Sequence, residues 1–141
     1  MPTELTLTEN QTQKMIAHAQ AALPNEACGL LGGKDGHVQA VYPGANAELS
    51  PARYRMDPQE QLLALDAIKL GGEDLLGIFH SHPEGQVFPS ATDIAQAYYP
   101  DAVYIILARP RSGKWQMHGY DLRNGRSQKV VLQIEPEPAT G

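Results

Sequence analysis

The sequence predicts one α/β domain, a mixed β-sheet with helices packed on it, and three observations carry that expectation. Segments with apolar residues at helical spacing are interleaved with short strand-like runs. The run 102–108, Ala-Val-Tyr-Ile-Ile-Leu-Ala, is apolar almost throughout, as expected of a strand covered on both faces. An Asp-Gly pair at 35–36 separates two strand-like runs and signals a hairpin. The 141 residues fit a single domain able to bury roughly two thirds of its unfolded surface.

Taken in order, Thr8 can cap a first helix, with Gln11 at the third position completing a capping box. Met15, Ile16, Ala19, Ala22 and Leu23 share one face of it, and Pro24 ends it. Strands are expected over 27–33 and 37–43, around the Lys34-Asp35-Gly36 turn. From Gly44 to Asp57 the Pro- and Ser-bearing chain reads as a long irregular loop ending in an extended piece, Tyr54-Arg55-Met56. Asp57 can cap a second helix with Pro58 at its first position and Glu60 in its first turn. Leu62, Leu65, Ile68 and Leu63 would form its buried stripe, and Gly71-Gly72 ends it. A strand over 75–82 follows, then a short helix from near Ser90 or Thr92 that stops before Pro100. After the 102–108 strand come two more, 115–121 and 127–134, joined through Arg123-Asn124-Gly125. Residues 1–134 thus make one domain, and the acidic, proline-rich 135–141 reads as a disordered tail.

Composition excludes several functions. The net charge of −5 and the lack of a basic stripe argue against nucleic acid. No apolar run is long enough to cross a bilayer, and no signal-peptide pattern opens the chain. A single cysteine, Cys28, rules out an intrachain disulfide and agrees with a cytoplasmic setting.

The chemistry concentrates between His80 and Asp93. His80 and His82 flank one residue at the end of an apolar strand, so both point to one face about 6.5 Å apart along the chain. Asp93 follows His82 after ten residues and can add an oxygen ligand. Three protein ligands leave a fourth position open, as in catalytic zinc sites. The plainer reading is a pair of surface or packing histidines, but a strand end beside a loop is where scaffolds present reactive groups. Hydrolysis also needs a base, and Glu26 is the candidate, because packing hardly explains a charge at the start of a core strand. A solvated loop residue is the alternative reading of Glu26. Ser90 can donate to a developing oxyanion, cap the third helix, or do both.

Glu26 with Ala27-Cys28-Gly29-Leu30-Leu31-Gly32, His80-Ser81-His82-Pro83 and Ser90-Ala91-Thr92-Asp93 together resemble the JAMM (MPN-plus) metalloprotease family. That family's pattern is a distant glutamate, His-Ser/Thr-His-Pro and Ser-x-x-Asp, with the ten-residue spacing found here. The resemblance covers roughly residues 3–134, and Tyr54-Arg55-Met56-Asp57-Pro58 is similar to bacterial standalone members. It implies an MPN-type, cytidine-deaminase-like mixed sheet with flanking helices. It implies one zinc per chain on His80, His82 and Asp93, Glu26 as general base and then proton donor, and Ser90 as oxyanion donor. It further implies cleavage after the C-terminal Gly-Gly tail of a ubiquitin-like protein of the sulfur-carrier type, with the loop 44–57 lining part of the tail groove. Neither nucleic acid nor membrane is an expected partner, while a homodimer is allowed.

Rival readings are a non-catalytic MPN scaffold, which typically loses one or more of these residues, and a related family associated with DNA repair, which the acidic charge disfavours. A thiol nucleophile at Cys28 is a further alternative, although its apolar neighbours favour a buried, inert cysteine. A nucleoside deaminase would need a Pro-Cys-x-x-Cys pair, which one cysteine excludes. His18, His37 and His118 lack partners at ligand spacing and read as exposed or packing residues.

Overall fold

The chain alternates strands and helices in the computed structural model, which describes residues 3–109, 111 and 113–137. The elements are β1 (Glu4–Thr8), α1 (Glu9–Ala22), β2 (Cys28–Lys34), β3 (His37–Gly44), α2 (Pro58–Leu70), β4 (Asp74–His82), α3 (Ala91–Ala95), β5 (Val103–Ala108), β6 (Gln116–Asp121) and β7 (Gln128–Glu135). A 3-10 turn at Arg123–Gly125 joins β6 to β7.

Local sequence explains most of these boundaries. Thr8 and Gln11 form the expected reciprocal cap of α1. Asp35 and Gly36 take φ of 52° and 75°, the left-handed pair that a tight hairpin between β2 and β3 requires. The Asp57 carboxylate accepts from Glu60 N, Pro58 opens α2, and Gly72 leaves it at φ 70°. α3 is shorter than its sequence suggests, ending at Ala95.

The sheet is mixed, and it closes on itself in the order β1-β3-β2-β4-β5-β6-β7. Closure depends on β1, a strand absent from the sequence-based expectation, which sees only the helix cap at Thr8. Its Leu5 and Leu7 alternate with Thr6 and Thr8, and it pairs in parallel with β7 over five residues, Glu4↔Val131 to Thr8↔Glu135. Thr6↔His37 joins its other side to β3, so no long edge is left open. Glu135, placed in the tail by the sequence reading, is paired in β7, and Glu137 accepts from Asn10 N at 3.0 Å. The rest of that expected tail, residues 138–141, lies outside the described residues.

The sheet's two faces separate by odd and even position. Val103, Ile105 and Leu107 of β5 join Leu31, Phe79 and the Met15–Ala19 face of α1. Tyr104 and Ile106 turn the other way, to Leu30, Ile78 and the Ala64–Ile68 face of α2. All six residues of β5 are buried, as its unbroken apolar run predicts. The stripe expected on α2 is corrected: Ile68 is buried and Leu65 half-buried, but Leu62 and Leu63 are 60% and 62% exposed. Ala64 takes the inward position instead. Ala64 and Ile68, four residues apart, form the inward face of the helix, and Leu62 and Leu63 lie off that face.

Close packing also fixes Gly29. A Cβ there would overlap the fully buried Phe79 ring and come within 2.7 Å of the Tyr42 carbonyl oxygen. Neither neighbour is free to move. Gly29→Ala is expected to destabilise the fold by about 1–3 kcal/mol. A denaturant melt checks it, and an unchanged midpoint would mean that Phe79 can give way.

Candidate metal centre

β4 carries His80 and His82 to the α2 face, because even-numbered residues of this strand share a side with Ile78. Each ring is buried, at 1% and 4% exposed. The antiparallel register between β2 and β4 pairs Cys28 with His80, and Ser81 N donates to Ala27 O at 3.0 Å. Carried two residues beyond Cys28↔His80, that register would set Glu26 opposite His82. Glu26 therefore shares the face of Cys28 and Leu30, and it is buried rather than a solvated loop residue. One carboxylate oxygen of Glu26 and one nitrogen from each histidine lie within 4.8 Å of one another.

Asp93 arrives from the other direction, in the first turn of α3. Its Oδ2 lies 3.2 Å from His80 Nε2 and 3.1 Å from His82 Nε2, and the two nitrogens are 3.1 Å apart. Ligands at ordinary zinc–nitrogen length in a tetrahedron lie roughly 3.3 Å apart. The triangle is therefore of the size a zinc ion fits. Ser90 N donates to the same Asp93 Oδ2 at 2.8 Å, and Ser90 Oγ accepts from Asp93 N at 3.0 Å. This reciprocal cap fixes the ligand carboxylate, and it leaves the Ser90 hydroxyl proton available to donate.

The partners of His82 settle its tautomer. Nδ1 donates to Gln86 O at 2.7 Å, so Nε2 of the neutral ring presents its lone pair to the centre. The 83–90 loop that offers this carbonyl is itself tied down by Tyr120, whose hydroxyl donates to Val87 O. Pro83 follows the last residue of β4, where the strand is expected to end. Tyr54 stacks on the His80 ring at 4.5 Å between centroids and 17° between planes. No spacing in the sequence points to that stack.

Burial and neighbouring charge set the protonation states. Burial pushes the Glu26 carboxyl from its ordinary 4.5 to about 8, with His82 pulling it back and Asp93 adding to the rise. Burial lowers His80 and outweighs its hydrogen bond to Asp93. For His82, burial is overcome by the bonds to Asp93 and Gln86, and the ring is raised. Burial likewise opposes the Asp93 carboxylate, but the two histidines outweigh it and hold that carboxyl well below the usual range.

A pH dependence follows for the metal-free protein. Between about pH 4.5 and 8 the folded state keeps a proton on Glu26 that the unfolded chain releases. This contribution to stability is full below pH 4.5 and is lost as pH rises to 8, at no more than about 1.4 kcal/mol per pH unit. Glu26→Gln should flatten that part of the profile. Metal-free melts of both proteins from pH 5 to 8 check this, and parallel curves would refute it.

The Cys28 thiol is pushed by burial up to about 12, so the cysteine is inert, and the thiol-nucleophile reading fails. His18, expected to be exposed or packing, ties two strands together instead. Its Nε2 lies 3.1 Å from Cys28 O and 2.9 Å from Gly44 O and donates to both, where β2 and β3 part. Asn46 is the polar residue that sequence reasoning missed altogether. Its buried amide donates to Glu26 O and Arg53 O and accepts from Glu48 N and Arg55 N. An asparagine within a Pro- and Ser-bearing loop was the only signal for it.

Comparison with known proteins agrees with this geometry. A family described as prokaryotic homologs of the JAB domain matches residues 8–118, which include all five site residues. A CysO-cysteine peptidase of Mycobacterium tuberculosis is 34% identical over 123 residues, covering 86% of this chain and 84% of that protein. A desampylase of Haloferax volcanii is 37% identical over 109 residues, covering 72% of this chain and 78% of the other. The solution structure of a protein from Desulfitobacterium hafniense superposes with a TM-score of 0.85, at 39% identity and 94% coverage of both chains.

Proposed function

The chain belongs to the prokaryotic family of JAB-domain proteins, and on that premise we propose that it is a zinc peptidase that cuts after the C-terminal Gly-Gly tail of a ubiquitin-like protein of the sulfur-carrier type. One observation carries the reading: His80, His82 and Asp93 converge on a single point with the buried carboxylate of Glu26 beside them. Relatives named for cleaving CysO-cysteine, and the desampylase, support the substrate class.

His80, His82 and Asp93 are the residues that would hold the ion, one per chain. When bound, zinc polarises the scissile carbonyl and brings the pKa of water down to about 7. Glu26 takes a proton from the attacking water and delivers it to the departing amine. Its buried place beside the two histidines sets the carboxylate where it can accept and return that proton. Ser90 donates its hydroxyl proton to the carbonyl oxygen as charge builds there, while its own oxygen still accepts from Asp93 N. The loop 44–57 borders the site, because Glu26 N donates to Ser50 O and Tyr54 covers His80. An extended Gly-Gly tail laid along this loop would use main-chain hydrogen bonds and bring no side chain near the reacting atoms. A non-catalytic scaffold is the alternative, but it has no use for a costly buried carboxylate held beside two histidines. A cytoplasmic setting accords with the unpaired Cys28.

The test uses purified protein and a ubiquitin-fold carrier extended after Gly-Gly by cysteine or a short peptide. Metal analysis should find about one zinc per chain. Cleavage should stop with a strong chelator and return with zinc. Full activity in metal-free protein would sink the mechanism, and zinc-loaded protein that leaves every such carrier intact would sink the assignment.

A further inference from the structure

Beside Asp93, where residues 52–56 of the loop 44–57 face α2 and α3, a cavity of about 170 Å³ opens. Its floor is apolar, with Leu30, Ile78 and Tyr104. Arg53 and Arg55 also line the cavity, in a chain whose net charge is −5. Arg55 lies 3.6 Å from Glu48. Arg53 has no ion-pair partner among the described residues.

An exposed arginine is ordinary; the backbone that carries this one is not. Asn46 binds the peptide groups on both sides of Tyr54, accepting from Arg55 N at 3.1 Å and donating to Arg53 O at 2.9 Å. The same amide donates to Glu26 O at 3.1 Å. Ala47 N donates to Arg55 O, which closes the loop on itself. One buried side chain thus ties the position of Arg53 to the general base, and the Tyr54 ring between the arginines is seated on His80. The backbone that carries Arg53 is thus held beside the reacting centre, and its exposed side chain extends from that fixed point.

We propose that Arg53 receives the α-carboxylate of the residue released by hydrolysis, whose side chain enters the apolar cavity. The proteolytic product is then a single terminal amino acid rather than a lysine-linked protein. The inference rests on the peptidase reading and adds the leaving side to it. In the reaction the Gly–X amide and water give a glycine carboxylate and the ammonium group of X, so both water protons end on nitrogen. The C–N bond breaks, the water oxygen stays on glycine, and Glu26 moves a water proton to nitrogen. When X is terminal, its carboxylate sits one carbon from the departing nitrogen, and its planar oxygens match the fork of a guanidinium. An isopeptide-linked lysine presents no carboxylate there, only a four-carbon stem.

The experiment compares a ubiquitin-fold carrier ending Gly-Gly-Cys as the free acid with its C-terminal carboxamide, and with a lysine-isopeptide conjugate. For the zinc-loaded protein, kcat/KM should favour the acid over the amide by about tenfold, the effect of one partly solvated charge-assisted contact. In Arg53→Ala that ratio should fall toward one, and in Arg53→Lys it should lie between. Zinc content of each variant guards against a folding defect. Equal cleavage of acid and amide by the unmodified protein, or a ratio unmoved by Arg53→Ala, overturns the inference and leaves the peptidase reading intact. Failure to cut any of the three overturns both.

Discussion

Glu26→Gln is expected to lower kcat for tail cleavage by about 10²- to 10⁴-fold while zinc stays bound. The substitution keeps shape and removes only the capacity to take a proton. Glu26 is buried, and its Oε1 has no hydrogen-bond partner, so the neutral amide is no harder to accommodate there. The backbone of residue 26 stays anchored by Ser50 and Asn46, which hold it through main-chain atoms. The fold should therefore survive, and the metal-free Glu26→Gln variant should be the more stable of the two above pH 5, as the raised carboxyl requires. Single-turnover rates at matched zinc content decide the matter. A variant as fast as the parent would assign the base elsewhere.

Asp93→Asn should have the second large effect, through the metal rather than the proton. Asp93 Oδ2 gathers three contacts at once, His80 Nε2, His82 Nε2 and Ser90 N. An amide supplies no negative charge, and its NH₂ group cannot accept from Ser90. Loss of partners outside the ligand shell typically costs 10- to 100-fold in metal affinity, so loss of a ligand charge should exceed about 100-fold. Competition titration with a zinc indicator measures it. Cleavage should then depend on added zinc and fail at concentrations that saturate the parent. Retention of parental zinc affinity would remove Asp93 from the ligand set.

Much of this was legible in the chain. The histidine pair shows its geometry because strand side chains alternate, and that rule needs no knowledge of the rest of the fold. Local chemistry also announced the caps at Thr8, Asp57 and Ser90 and the hairpin at Asp35-Gly36. The reading failed where burial depends on a remote surface. Leu62 and Leu63 look like core at helical spacing, yet the face of α2 that meets the sheet is centred on Ala64 and Ile68. β1 is five residues long with one alternating pair of leucines, and its partner is β7 at the far end of the chain. A strand so short is convincing only once the strand beside it is known.

The sequence by itself determined the histidine pair, its spacing and an α/β fold class, because those rest on periodicity within a few residues; the roles of Asp93, Glu26 and Ser90 are what the family resemblance implies. Only the tertiary structure decided which groups meet. The pairing of β2 with β4 brings Glu26, just before β2, against His80 and His82, parallel pairing with β7 closes the sheet, and the Asn46 amide binds the arginine-bearing loop to the base. Those outcomes depend on pairing between segments tens of residues apart, and a one-residue slip of β2 against β4 would turn Glu26 to the opposite face.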